Sequence, residues 1–152
     1  MSTTVWDVQL RPRLTPYVAC AAAFAIVTVH ITFGILLKVG SSGVIFRTAD
    51  QVAFGLLGVV LASLVLLLTR PRLRIGPSGL SVRNMLGDRL ISWDDVIDVS
   101  FPAGARWARV ELADDEYIPM LAIQAVDKDR AVKAMDTVRM LMARYHGSPR
   151  AD

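Results

Sequence analysis

One cysteine, Cys20, and two histidines, His30 and His146, are all this chain offers to redox or transition-metal chemistry. A lone cysteine excludes an intrachain disulfide, and no Cys/His spacing of a zinc site is present. No glycine-rich phosphate loop and no Ser-centred nucleophile elbow occur. Aromatic residues make up 7% of the chain, and no basic patch is interleaved with them as single-strand nucleic-acid binding requires. Repeats and low-complexity segments are missing as well. These gaps count against an enzyme, a metal centre, a bound cofactor, a small-molecule substrate and a nucleic-acid partner.

What the sequence has in excess is apolar residues, 53% of 152, crowded into its first half. The run 15–37 is broken only by Thr28, His30 and Thr32, and 51–69 is polar inside only at Ser63. At 1.5 Å per helical residue each reaches roughly 28–35 Å, the span of a hydrocarbon core. The first run is too long for a signal-peptide h-region and is followed by a second, so both are read as transmembrane helices that stay in the mature protein. Arg11 and Arg13 precede the pair and Arg70, Arg72 and Arg74 follow it, whereas the loop 38–50 carries Lys38 and Arg47 against Asp50. That asymmetry places both termini in the cytoplasm and the loop outside, in the plasma (inner) membrane.

The second half changes period. In 66–84, "LLLTRPRLRIGPSGLSVRN", a greasy run gives way to arginines at every second position and then to alternation. Arg70, Arg72 and Arg74 share one face of an extended chain, with Leu73 and Ile75 on the other, and beside an anionic leaflet each contributes about 1 kcal/mol. Short strands follow around "GLSVRNM", "RLISW", "VIDVSF", "RWARVELA" (inward residues Trp107, Val110 and Leu112) and "YIPMLAI", where Pro119 suits an edge or bulge. Five or six strands in so short a stretch indicate a small antiparallel sandwich or barrel. From Asp127, a plausible N-cap, the period returns to 3.6, with Val132, Met135, Val138, Leu141, Met142 and Tyr145 on one face and Gly147 as a stop.

The expected architecture is therefore an α+β membrane protein. It comprises an amino-terminal cytoplasmic tail (1–14), a two-helix transmembrane hairpin (15–37 and 51–69) around the loop 38–50, a small antiparallel domain capped by an amphipathic helix (70–146), and a tail (147–152). In "LRIGPSGLSVRNMLGDRLISWDDVIDVSF" a Gly-Leu strand is followed by a hairpin and an apolar-x-Trp-x-Asp-Val segment, carried by Gly79, Leu80, Val82, Arg83, Arg89, Ile91, Trp93, Asp95 and Val96. This resembles the opening of bacterial pleckstrin-homology-like (PH-like) domains. With two spans ahead of it, the plan also resembles small actinobacterial membrane proteins of the low-molecular-weight antigen type. The resemblance covers roughly 70–145 and implies a bent antiparallel sandwich capped by a helix, with one strand more than periodicity supplies. It does not imply phosphoinositide binding, since Arg83 and Arg89 are separated by "NMLGD".

Candidate chemistry is sparse. His30 is an ionisable group inside a span, hence a candidate haem or metal ligand or proton relay; no His, Cys, Asp or Glu in the second span or loop matches its depth, which favours a neutral imidazole hydrogen-bonded within a helix pair or to a neighbouring subunit. Asp94 and Asp95, adjacent in extended chain, point to opposite faces, and Asp114, Asp115 and Glu116 read as a hydrated turn. His146 suits a helix end, and Cys20 in lipid is a poor nucleophile. Contacts carry more. Ala19, Ala22, Ala23 and Ile26 line one face of the first span and Gly55, Gly58 and Ala62 one face of the second, which lets helices approach closely within the hairpin or against a partner. Met140 lies off the core face of the last helix and suits an adaptable contact.

Two functions fit. One is a non-catalytic accessory or scaffold subunit packing on a larger integral membrane complex, for which a respiratory-chain assembly is a natural host by analogy. The other is a free membrane-anchored adaptor whose domain binds anionic lipid headgroups or a soluble protein through Arg70, Arg72, Arg74 and Arg83.

Overall fold

The computed structural model describes residues 5–39, 47–113 and 115–145. The chain divides into two compact units, 15–69 and the remainder, 1–14 with 70–152.

The first unit holds the helices α1 (Leu14–Val39) and α2 (Thr48–Leu66), the latter tightening into a single 3₁₀ turn over Leu67–Thr69. Both are long and apolar enough to cross a membrane. The second helix begins three residues before the expected boundary, so residues 48–50 form its first turn rather than the end of a loop. The cause is local: the Asp50 carboxylate accepts the Arg47 backbone N–H at 2.9 Å, satisfying one donor at the helix start. The rest of the expected loop, 40–46, lies outside the described residues.

Among the described residues the other unit contains seven strands and one α-helix. A four-stranded antiparallel sheet has the order β1 (Val8–Leu10), β2 (Arg72–Gly76), β3 (Gly79–Arg83), β4 (Asp88–Ile91). A three-stranded one has the order β5 (Val96–Ser100), β6 (Trp107–Leu112), β7 (Tyr117–Gln124), with Pro119 on its edge strand. The residues expected as an amino-terminal tail thus supply the seventh strand. Val8 pairs with Ile75, Gln9 with Arg74 and Leu10 with Leu73, across a sequence separation that holds both apolar helices. The segment is clasped a second time at the other end of the chain, where the Tyr145 hydroxyl donates to the Asp7 carboxylate.

The core lies between the sheets and under α3 (Asp129–Tyr145). Leu73, Ile75, Leu80, Val99, Val110 and Met120 are fully buried there, with Val138 and Leu141 from the helix. Trp93 sits in a 3₁₀ turn, donates its indole N–H to Gly76 O at 2.9 Å and stacks on Tyr145 at 5.7 Å. The β2–β3 turn needs glycine at residue 79: its φ of +127° disfavours side chains, and a β-carbon there would strike the Ile91 carbonyl.

Three expectations are corrected. Strict period two puts Ala108, not Trp107, on the inner face with Val110 and Leu112, so Trp107 is exposed beside a register shift in β6. On α3 Ala131 takes the inner position and Val132 faces out. Asp127 is not the cap of α3. The chain passes through Lys128, whose carbonyl accepts the first helical bonds from Ala131 and Val132, while the Asp127 carboxylate accepts the backbone N–H groups of Arg13 and Leu14 at 3.0 and 3.1 Å. His146, Gly147, Asp114 and the tail 147–152 lie outside the described residues.

Candidate functional site

β2 alternates as its sequence demands, with Leu73 and Ile75 inward and Arg72 and Arg74 on the outer face of the four-stranded sheet; Arg70 is exposed just before it. Register then gathers further cations. Arg72 lies opposite Arg83, and Arg74 lies between Gln9 and Ser81. The Gln9 amide, with its oxygen turned toward Arg11, accepts from Nε and Nη2 at 2.6 and 2.7 Å. Arg11, Arg72, Arg74 and Arg83 therefore share one face, on which Asp88, paired opposite Arg83, accepts the Ser81 hydroxyl at 2.8 Å.

Like charges directly opposite in a sheet are unfavourable. Arg72 carries the consequence. Burial first, then the charges of Arg74 and Arg83, hold its guanidinium below the ordinary arginine range, while Asp88 acts the other way. Its Nε is buried without a hydrogen-bond partner. An arginine cannot relieve such crowding by losing its proton at ordinary pH. An anion with several acceptor oxygens can.

The helical unit brings together other residues singled out in the sequence. Ala19, Ala23, Gly58 and Ala62 are buried. At Gly58 the neighbour is His30, close enough that a β-carbon on residue 58 would lie 2.7 Å from His30 Cβ. The imidazole Nδ1 is 2.8 Å from Ile26 O, and the ring lies 5.0 Å from that of Phe54. A hydrogen bond to that carbonyl makes Nδ1 the protonated nitrogen. The small-residue stripe is thus used, at least at Gly58, by the packing of α1 on α2. Gly55 differs: nothing lies within 4 Å of a β-carbon built there. It borders a groove of about 250 Å³ lined by His30, Gly34, Gln51 and Gly55, in which Gln51 Nε2 donates to Gly34 O at 2.8 Å.

Elsewhere polar side chains serve one another. On the outer face of the three-stranded sheet Arg109 contacts Glu111 at 3.0 Å, Ser100 donates to Glu111 at 2.7 Å, and the guanidinium lies 5.2 Å from the Tyr117 ring centre. The Ser100 hydroxyl, then Arg109, hold the Glu111 carboxyl below its usual range. Asp94 and Asp95 fall in the 3₁₀ turn with Trp93 rather than in extended chain. Cys20 is exposed on α1, and Met140 is exposed on α3. Among the described residues no three His, Cys, Asp or Glu side chains gather as a metal site would.

Sequence reasoning found Arg72 and Arg74 by spacing but not Gln9 or the role of Arg11, which depend on β1. The only signal there was the three-residue alternation Val8-Gln9-Leu10.

Residues 70–141 match the model of the bacterial PH domain family. An uncharacterized protein of Mycobacterium bovis and two of Mycobacterium tuberculosis strains are each 70% identical over 140 residues, covering 92% of this chain and 91% of theirs. No solved structure matches significantly. A PH-like domain is an interaction module, and the strand supplied from before the helices completes the seven that its sheets contain. Over nearly its whole length the chain belongs with these mycobacterial proteins, and within it residues 70–141 belong to the bacterial PH domain family.

Proposed function

We propose that this chain is a non-catalytic, two-span protein of the plasma membrane, with both termini and the PH domain in the cytoplasm, whose domain works at the membrane surface through its basic sheet face. The register of β1 on β2 carries the topology. Val8–Leu10 precede the first apolar helix and Leu73–Ile75 follow the second, yet they pair residue by residue. A strand pair cannot straddle a bilayer, so helices that cross one must do so as a hairpin with both flanks on the same side. The arginines of those flanks favour the cytoplasmic side. The mycobacterial relatives support a place among small actinobacterial membrane proteins, and we extend it to those resembling the low-molecular-weight antigen type.

The ligand class follows from Arg11, Arg72, Arg74 and Arg83. Two of these lie within three residues of a helix boundary, and the surface they would meet is a layer of lipid phosphates. Anionic headgroups supply the acceptor oxygen that Arg72 Nε lacks. A second reading, an accessory subunit of a larger membrane complex such as a respiratory assembly, is favoured by the groove beside Gly55, where a partner helix can approach the backbone. Met140 is then a contact on the cytoplasmic side.

Mild-detergent extraction of the full chain, with sizing and native mass spectrometry of what remains bound, separates them. Retained phosphatidylglycerol that is lost with Arg72→Gln/Arg74→Gln supports the lipid reading. Stoichiometric co-purification of a large assembly, released by Gly55→Leu, supports the other. A bare chain in both cases overturns both.

A further inference from the structure

At the end of the four-stranded sheet where Arg72 faces Arg83, β3 turns into β4 through residues 84–87. Its base is fixed. The Asn84 N–H donates to Gly87 O at 3.0 Å, closing the turn. The Asn84 side chain reaches the other sheet, where Nδ2 donates to Pro119 O at 2.9 Å and Oδ1 accepts the Leu121 N–H at 3.4 Å. On this base stand Met85 and Leu86, and Leu86, 89% exposed, is the most exposed large apolar side chain among the described residues. Turns ordinarily carry polar residues, and nothing in this turn requires a leucine. Arg83 and Arg89 flank the tip, with Asp88, whose carboxylate accepts the Ser81 hydroxyl, between Arg89 and the turn.

Chain connectivity bounds how far this end can lie from the membrane. β2 begins at Arg72, three residues after Thr69, the last residue of the second apolar segment. β1 ends at Leu10, four residues before Leu14, where the first begins. At about 3.5 Å per extended residue such links reach no more than about 10–14 Å. Antiparallel pairing places turn 84–87 just beyond the row of Arg72 and Arg83, at the end from which the chain leaves for the helices; the β2–β3 turn at Pro77 and Ser78 is at the opposite end. An apolar tip shouldered by arginines, held at that distance, matches an interface whose outer layer is anionic and whose inner layer is hydrocarbon.

We infer that the Met85–Leu86 tip inserts into the interfacial layer of the anionic bilayer crossed by the two helices, setting Arg72, Arg83 and Arg89 on its phosphates. The inference rests on the lipid-facing reading above and gives it an apolar anchor. Lipid is the occupant, rather than a protein, because the tip is tethered within reach of the membrane and its flanking charge is net basic, Arg83 and Arg89 against Asp88.

The test uses the full chain in a Cys20→Ser background, reconstituted in phosphatidylcholine vesicles with or without phosphatidylglycerol. A polarity-sensitive fluorophore is placed at Leu86→Cys or, at the far end of the sheet, at Ser78→Cys. The expected result is blue-shifted emission at position 86, quenched several-fold by acyl-brominated lipid and more so with phosphatidylglycerol present, and water-like emission at position 78. Water-like emission at position 86, or equal quenching at both positions, overturns the inference. If position 86 stays in water while phosphatidylglycerol retention still depends on Arg72 and Arg74, the tip fails and the lipid reading stands. If that retention is independent of both arginines, the lipid reading fails with it.

Discussion

His30 and Gly58 occupy the same space to within a side chain: the imidazole packs where Gly58 has no β-carbon, which would lie 2.7 Å from His30 Cβ and 2.8 Å from its Cγ. The histidine is consequently a packing residue whose ring has room beside the facing helix only while residue 58 is glycine. Its Nδ1 is satisfied within its own helix by Ile26 O.

This relationship gives opposite expectations for two glycines one turn apart. Gly58→Leu overpacks the contact and should destabilise the helical pair by about 1–3 kcal/mol. Gly55→Leu, with open space around residue 55, should leave that stability nearly unchanged. Thermal or SDS-titrated unfolding of the two variants in the same detergent checks the difference. Equal losses would show that the helices pack in some other way.

The amino-terminal strand should behave as part of the PH domain, not as a leader to it. Leu10 is half-buried against the core opposite Leu73, so Leu10→Ala should cost about 1–2 kcal/mol and speed amide exchange at Leu73 and Ile75. A fragment starting at residue 70 should show the same fast exchange, and a peptide of residues 5–13 should slow it. Unchanged protection in the fragment would mean β1 is dispensable.

Trp93 offers a test of the interior. Its Nε1 donates to Gly76 O at 2.9 Å in a buried setting, and Trp93→Phe removes that donor together with part of the buried ring. A buried carbonyl left unpaired costs about 1–3 kcal/mol. A much smaller loss of denaturant stability would mean that water reaches Gly76 O.

Asp7 and Tyr145 set an alkaline limit. The hydrogen bond to the Asp7 carboxylate, then burial, raises the Tyr145 phenol above its ordinary value of about 10. Since the folded value exceeds the unfolded one, the stability this bond adds is complete below about pH 10 and is lost as pH climbs through the raised value. Asp7→Asn should move one of the three tyrosines to a lower titration point, read by phenolate absorbance, and reduce the extra alkaline loss of stability. A titration curve identical to the parent's would exclude the contact.

These features were unequally visible in the sequence, for physical reasons. The helices announced themselves because about twenty apolar residues in a row have few other fates. Strands β2 to β7 and α3 follow from periods of two and 3.6, although Trp107 and Val132, whose apolarity suggests the inner face, occupy positions that face out. β1 was hidden: three residues carry too little alternation, and their partner lies beyond both helices. Asp127 looked like a helix cap because it precedes α3, yet its carboxylate found free N–H groups at Arg13 and Leu14, which no local pattern signals. The basic face was half legible. Arg72 and Arg74 share a face by spacing alone, whereas Arg83 joins them only through the β2–β3 register and Arg11 only through β1.

The crowding of that face makes a final prediction about salt. Arg72 is opposed by Arg83 and followed by Arg74, and it is held below its ordinary value by burial and by those two charges. Without anions, removing one charge should relieve the others, so Arg83→Gln should raise thermal stability in neutral detergent at low ionic strength. On anionic vesicles the sign should reverse, because each arginine near lipid phosphates contributes attraction equivalent to about a fivefold change in binding. Added salt should shrink both effects together, since the screening length falls from about 8 Å at physiological strength to about 3 Å at 1 M. Arg109→Gln is the control: its charge is already opposed by Glu111, so it should show no such reversal. If Arg83→Gln destabilises the domain equally in neutral detergent and on anionic vesicles, Arg83 is structural and the face is no anion site.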